Sequence, residues 1–122
     1  MTTIPLTFIS PPLTQNQVRR MHYQTEAKLK RTIIAATVTS IRRAKTAPVE
    51  GPVEVVLHYR PGTRRRFDSD GLAPSLKCFL DALVDTKVLP DDSWQYVPFS
   101  GVRIHEPNPN IPAAMWLEIQ EN

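Results

Sequence analysis

The sequence predicts a compact, two-layer α+β fold, in which two helices pack on a mixed sheet in the order β-α-β-α-β-β. Three observations predict it. The chain has 122 residues, 41% hydrophobic and 22% charged, which suits a single globular domain over residues 1–122. Segments with apolar residues at every second position alternate with segments of helical period. Proline and glycine punctuate the chain between these segments, and no long linker separates them.

The first half of the chain contains two predicted strands around one helix. A strand is predicted at 4–9, where apolar and polar residues alternate before a Ser-Pro-Pro turn. A helix is predicted over 23–45, which holds no glycine or proline, and its apolar residues are Ala27, Ile34, Val38 and Ile41. The strand predicted at 53–60 places four residues on one face: Val53, Val55, Leu57 and Tyr59.

The second half contains one predicted helix and two predicted strands. The helix covers about 72–86, with Pro74 in its first turn, where the missing N–H of proline costs nothing. Strands are predicted at 94–104 and 113–119, and Pro98 places the first of them at a sheet edge or at a bulge. The apolar residues at helical spacing are Leu72, Leu76, Phe79, Leu80 and Leu83.

The composition argues against several classes of protein. The uncharged run within the first predicted long helix, 32–41, is about half as long as a membrane-spanning helix, and the first residues lack the features of a signal peptide. The single cysteine, Cys78, allows no internal disulfide, and three histidines predict no zinc cage. We therefore expect a soluble protein of the cytoplasm.

The charges are divided between the two halves of the chain. Residues 1–66 carry a net charge of +9 and residues 67–122 a net charge of −6. Most single charges do no more than solvate a surface, but this division predicts one surface for a polyanion and another for cations. The residues expected to contact DNA phosphates are Arg19, Arg20, Lys28, Lys30, Arg31, Arg64, Arg65 and Arg66.

Residues 64–70 combine three arginines with two aspartates, Asp68 and Asp70. In extended chain these two carboxylates project to the same side of the backbone. Close carboxylates repel each other, and a hard divalent cation such as Mg²⁺ relieves that repulsion. Arginines next to such a pair can bind the phosphates of a nucleic acid. This residue set is the minimum that a metal-dependent nuclease needs.

Each of these residues also has an ordinary structural interpretation. Asp70 can cap the helix that follows it, and Asp68 can cap a turn. Asp91 and Asp92 fit a common turn. Lys77 can pair with the aspartate four residues after it on the same helix face. Taken one at a time, the residues leave both interpretations open.

Taken together, residues 64–93 resemble the signature of the RusA-type Holliday-junction resolvases, with the sequence RRRFDSDGLAPSLKCFLDALVDTKVLPDDS. That signature consists of basic residues, D-x-D-N, a helix carrying K-x-x-x-D-A-L, and a later pair of aspartates. The residues Ser10, Pro11, Pro12 and Asn16 match the opening P-P-S-x-N segment of the family more loosely.

The resemblance implies a RusA-like fold and an endodeoxyribonuclease that depends on Mg²⁺, with Mn²⁺ as an alternative metal. Members of the family are small, basic homodimers, common in phage and prophage, that cut four-way DNA junctions by paired symmetric nicks during recombination and repair. It therefore implies a homodimer acting on branched DNA in a bacterial host cell. Apolar candidates for the dimer interface are the stretch 33–41 and the strand with Met115 and Leu117.

The family's catalytic residues transfer to this sequence position by position. Its first two catalytic aspartates fall on Asp68 and Asp70, and its third falls on Asp92, with Asp91 beside it. Its catalytic lysine falls on Lys77. The resemblance implies that the four aspartates bind the metal and that the lysine neutralises charge at the reacting phosphate.

Two features depart from the family pattern. Gly71 stands where the family has asparagine, and three extra residues separate Asp70 from Lys77. Two other functions remain open at this point. One is a recombination accessory that binds branched DNA without cutting it, and the other is a nuclease acting on flaps, forks or other branched DNA.

Overall fold

The computed structural model describes residues 1–121 of the chain. These residues form four strands, three α-helices and one turn of 3-10 helix at Ser69–Leu72. The strands and helices are, in chain order, β1 (Thr2–Pro5), α1 (Gln15–Arg20), α2 (Tyr23–Arg43), β2 (Val53–Arg60), α3 (Ala73–Asp85), β3 (Phe99–Ile104) and β4 (Ala114–Glu121).

The four strands form one mixed sheet in the order β1-β4-β2-β3. β4 pairs antiparallel with both β1 and β2, whereas β3 pairs parallel with β2, from Glu54 opposite Phe99 to Tyr59 opposite Ile104. The predicted α+β class and mixed sheet are confirmed. β3 lies at an edge, as Pro98 predicts.

The core lies between the helices and one face of the sheet. β2 directs four side chains into it, each at most 3% exposed, and they are the predicted ones: Val53, Val55, Leu57 and Tyr59. α3 and the residue before it supply the five predicted apolar residues, each at most 8% exposed: Leu72, Leu76, Phe79, Leu80 and Leu83. Burying such a side chain stabilises the fold by roughly 1.5–3 kcal/mol. The core therefore fixes α3 relative to the sheet.

Two predicted strands have different bounds in the structure. The first strand ends at Pro5 rather than at residue 9. Its partner β4 begins at Ala114, so β1 has nothing to pair with beyond that point. The last hydrogen bond between the two segments joins the Leu6 N–H to Met115 O at 3.0 Å. The strand predicted at 94–104 begins only at Phe99. Before it, the N–H groups of residues 96 and 97 donate to Ser93 O, which makes a turn instead of a strand.

The buried face of α2 also differs from the predicted one. Ile41 is buried as expected, but Ala27 is exposed, and the positions in the core include Thr37 and Ser40. Their hydroxyls donate to the carbonyls four residues earlier, at 2.8 and 3.4 Å. A hydroxyl that is satisfied by its own helix can be buried at little cost, and apolar periodicity does not reveal this.

The residues named as dimer contacts lie inside the subunit. Ile33, Ile41, Met115 and Leu117 are each at most 2% exposed. These four side chains pack in the chain's own core and are not available to a partner, whereas Ala35 and Thr39 of the predicted stretch are exposed. No helix within residues 1–121 is long and apolar enough to cross a membrane.

Candidate active site

The predicted catalytic residues all lie between β2 and β3, in residues 61–98. Because these two strands are parallel, the chain must cross over the sheet to return to the start of β3. α3 makes that crossing on the core side of the sheet. The fold thus places one part of the candidate site before α3, one part on α3, and one part after it.

The part before α3 borders an open groove of about 440 Å³. Asp68 and Asp70 line this groove together with three arginines: Arg19, Arg65 and Arg66. The remaining lining residues come from the start of α1 and from the segment leading into α3: Thr14, Gln15, Asn16, Phe67, Gly71 and Leu72. Carboxylates and guanidinium groups therefore share one concave surface.

Within residues 1–121, neither the Asp68 nor the Asp70 side chain makes a capping hydrogen bond to a helix. Asp68 precedes the 3-10 helix, but its side chain makes no capping hydrogen bond, and Leu72 rather than Asp70 is the N-cap of α3. Phe67 packs edge-on against Tyr59, with ring centroids 5.4 Å apart, and so anchors the segment. The capping interpretation of Asp70 is wrong, Asp68 holds the N-cap position of the 3-10 helix without a capping bond from its side chain, and both carboxylates are exposed to the groove.

Lys77 on α3 lies between two carboxylates. Its Nζ donates to Asp92 Oδ2 at 2.5 Å and lies 3.1 Å from Asp81 Oδ1. The pair within the helix, between Lys77 and Asp81, is the one expected from their spacing. The hydrogen bond to Asp92 raises the pKa of Lys77, and the same bond lowers the pKa of Asp92. Both groups are therefore charged at neutral pH.

The turn that carries Asp92 is anchored on both sides. After α3, the N–H groups of Val88 and Leu89 donate to Leu83 O, and both side chains are buried. After Asp92, the buried Val97 closes the turn, and Tyr96 O accepts from the N–H of the first residue of β2 at 2.9 Å. Asp91 Oδ1 accepts from the Asp92 N–H at 2.8 Å, so Asp91 supports the turn as its ordinary interpretation predicts.

The aspartates thus occupy two separate settings. Asp68 and Asp70 lie along the groove, whereas Asp92 is paired with Lys77. Within residues 1–121, no three aspartate, glutamate, histidine or cysteine side chains are grouped closely enough to hold a metal ion. The metal-ligand set of Asp68, Asp70, Asp91 and Asp92 stays a prediction.

The predicted DNA-binding residues divide in a similar way. Three of them, Arg19, Arg65 and Arg66, line the groove. Arg64 does not line the groove and pairs with Glu106. Lys30 lies 3.7 Å from Glu26 on α2. The other three are exposed, Arg20 on α1 and both Lys28 and Arg31 on α2.

Sequence reasoning missed α1, which forms one wall of the groove. The helix begins with a capping box, in which Thr14 Oγ1 accepts from the Gln17 N–H and Gln17 Oε1 accepts from the Thr14 N–H. The spacing T-x-x-Q could have revealed it. Buried Ser75 on α3 holds the preceding segment, because its hydroxyl donates to Leu13 O at 2.5 Å and accepts from the Leu13 N–H at 3.1 Å.

Comparison with protein-family models finds none that matches the chain, and no curated protein matches it. The resemblance to the RusA-type resolvases therefore depends on the residues of this sequence alone.

Proposed function

We propose that this chain is a metal-dependent endodeoxyribonuclease that cuts four-way DNA junctions as a homodimer. One observation carries the proposal. The groove beside α1 is lined by Asp68 and Asp70 together with Arg19, Arg65 and Arg66. A groove with acids for a cation and arginines for phosphates suits the cleavage of a phosphodiester.

The donor atoms along the groove fit a hard divalent cation. Asp68 and Asp70 supply carboxylate oxygens, which Mg²⁺ and Mn²⁺ both accept, and the exposed groove leaves room for water and phosphate oxygens. A cation bound there supplies charge neutralisation at the phosphate and a more acidic attacking water. Asp92, with Asp91 beside it, would complete the ligand set by exchanging its bond to Lys77 for a bond to the cation.

The chain's own cations then bind and orient the DNA. Arg19, Arg65 and Arg66 present guanidinium groups that can each contact a phosphate through two N–H groups. Asn16 lines the same groove and offers an amide N–H to a phosphate oxygen. These contacts carry little sequence information, which suits recognition of a DNA shape rather than a base sequence.

Lys77 supplies positive charge where the phosphate reacts. Its pKa is raised by Asp92, so it stays protonated across the physiological pH range. With Asp92 among the residues that would hold a cation, the Nζ of Lys77 would be free to neutralise negative charge on the phosphate oxygens. The ion pair seen here would thus be the resting arrangement of the two groups.

A cleavage assay tests this function. A synthetic mobile four-way junction is incubated with the protein in Mg²⁺, in Mn²⁺ and in EDTA, beside flap, fork and linear duplex substrates of the same sequence. We expect paired nicks in the junction that require the metal. Cutting of flaps or forks in preference to the junction would change the substrate. Junction binding without cleavage in either metal would identify the chain as a non-catalytic accessory.

A further inference from the structure

The sheet has a second face, opposite the core. On β2 this face carries Glu54, Val56, His58 and Arg60, which alternate with the four core residues. Within residues 1–121, the hydrophobic core joins the helices to the other face. A sheet with one face free of helices commonly meets solvent or another protein there. We call this surface the open face.

The centre of the open face is a closely packed polar cluster. His58 is 7% exposed, and its ring bonds to His105 Nε2 and to Glu118 Oε1, each at 2.7 Å. Trp116 stacks parallel to His58 with ring centroids 5.1 Å apart, and Arg60 lies 5.4 Å over the same indole. Burial and the neighbouring cations lower the pKa of His105, which is therefore neutral at pH 7. The centre is thus ordered, flat and largely desolvated without a helix above it.

An exposed apolar residue extends this centre toward β3. Phe99 pairs with Glu54 across the parallel strands and is 51% exposed. Its ring lies over Gly101, where an added Cβ would come within 2.9 Å of the ring. Glycine therefore lets the phenylalanine lie flat on the open face. An exposed aromatic ring beside a desolvated cluster is typical of an interface.

The charges on the open face are ordered along the strands. Glu54 lies near the start of β2, whereas Arg60 ends that strand and Arg103 lies opposite His58 on β3. One end of the face is thus acidic and the other end is basic. When a second copy lies on this surface with its strands running in the opposite direction, the acidic end of each copy meets the basic end of the other.

We propose that a second copy of this chain packs face to face on the open face, about a two-fold axis that crosses the strands. In this arrangement Glu54 of each copy meets the basic end of the other, with Phe99 and the His58 cluster between them. The need for two active sites comes from the proposed function, on which this inference rests. The choice of the surface that joins the two copies comes from the open face itself.

This axis also decides where the two candidate sites lie. A rotation about an axis across the strands reverses the strand direction but keeps each β3 on the same side of the assembly. The 3-10 helix that follows Asp68 lines the groove and contacts β3, so in this arrangement both grooves would lie near one edge of the dimer. Two sites on one edge can reach two strands of a single junction, as paired nicks require.

A charge-swap experiment tests the interface. Light scattering at micromolar concentration should give the wild type a mass near twice 13.8 kDa. Glu54→Arg and Arg103→Glu should each weaken the dimer at least about tenfold, because like charges then face each other, and the double variant should restore it. Arg31→Glu, an equal charge reversal on the exposed side of α2, should leave the mass unchanged. Thermal unfolding confirms that each variant folds.

Three outcomes would overturn the interface: a wild-type monomer, single variants that dimerise like the wild type, or a double variant without rescue. Nicking assays keep this result apart from the nuclease proposal. Arg103→Glu should still nick junctions, because each copy keeps its own groove, but it should lose paired nicks within one binding event. A wild-type dimer that never cuts DNA would reject the nuclease and leave the interface standing.

Discussion

Lys77 and Asp92 are held by each other and by folded elements, whereas Asp68 and Asp70 lie on an exposed segment beside a groove. The first pair joins α3 to an anchored turn through a 2.5 Å hydrogen bond. Near the second pair, the structure shows an ion pair of 3.8 Å between Arg66 and Asp68. The candidate site therefore combines a closely paired part, Lys77 with Asp92, and a part with exposed carboxylates, Asp68 and Asp70.

This difference shows where a cation would change the molecule most. A cation in the groove would add a ligand bond to Asp70 and to Asp68, which within residues 1–121 has only the longer pair with Arg66, whereas Asp92 would have to give up its bond to Lys77. The Lys77–Asp92 pair is also a weak source of stability, since Lys77 is 59% exposed and exposed ion pairs contribute about 0–1 kcal/mol.

Removing a groove carboxylate should have the largest effect. Asp70→Asn should lower junction cleavage at least about 100-fold, because an amide cannot supply the anionic ligand that Mg²⁺ requires. Junction affinity should stay the same or increase, since a charge that repels phosphate is gone. Gel-shift and cleavage assays on one preparation measure both quantities.

The exposed Asp85 at the end of α3 offers a matched control. Asp85→Asn removes the same charge away from the groove and should cut like the wild type. Normal cleavage by Asp70→Asn would remove this aspartate from the active site.

Replacing Lys77 tests the ion pair between Lys77 and Asp92. Lys77→Met should lower the rate of cleavage about 100-fold, as the loss of one group that stabilises developing charge typically does. Its free energy of unfolding should change by less than about 1 kcal/mol. Lys77→Arg keeps the charge and should recover part of the rate. Equal losses of rate and stability in Lys77→Met would instead mean that the pair supports the fold.

The arginines of the groove should govern the salt dependence of binding. Replacing Arg65 and Arg66 by alanine should flatten the slope of log K against log salt by about two units, one for each phosphate contact. Adding Arg64→Ala should flatten it by at most about one unit more, because Arg64 already pairs with Glu106. Arg42→Ala, at the exposed end of α2, is the control. An unchanged slope in the double variant would place the groove away from the DNA.

The smallest expected effect is a dependence of stability on pH. Asp92 has a lowered pKa in the folded state, so its contribution is present above the ordinary aspartate pKa of about 4 and is lost as the pH falls through the folded value. Urea unfolding should therefore show a small difference between wild type and Lys77→Met at pH 7 that disappears in acid. A difference that persists in acid would assign the effect to packing by the lysine stem.

Strong local patterns made part of this fold predictable. β2 and α3 have clear apolar periods, and their buried faces match the prediction residue by residue. α1 was missed because six residues give too short a period, and the helix depends on its capping box. The start of β3 was misplaced because residues 94–98 are rich in strand-forming side chains but fold as a turn, in which the N–H groups of residues 96 and 97 donate to Ser93 O.

The candidate site was predictable in its residues but not in its arrangement. The spacing on α3 predicts that Lys77 can pair with Asp81. The stronger contact, from Lys77 to Asp92, depends on how the turn after α3 folds back, and no local period encodes it. Likewise, Arg19 reaches the groove of Asp68 only because Ser75 binds the N-terminal segment to α3.

The parallel pairing of β2 with β3 has a consequence for the newly made chain. All candidate catalytic residues precede β3, yet the turn with Asp92 and the 3-10 helix rest on elements that β3 completes. Closing such a long loop costs chain entropy that only the finished strand pair offsets. During synthesis the candidate catalytic residues should therefore emerge from the ribosome before the elements that hold them have formed. They would acquire their geometry only when residues 99–121 follow and the sheet closes.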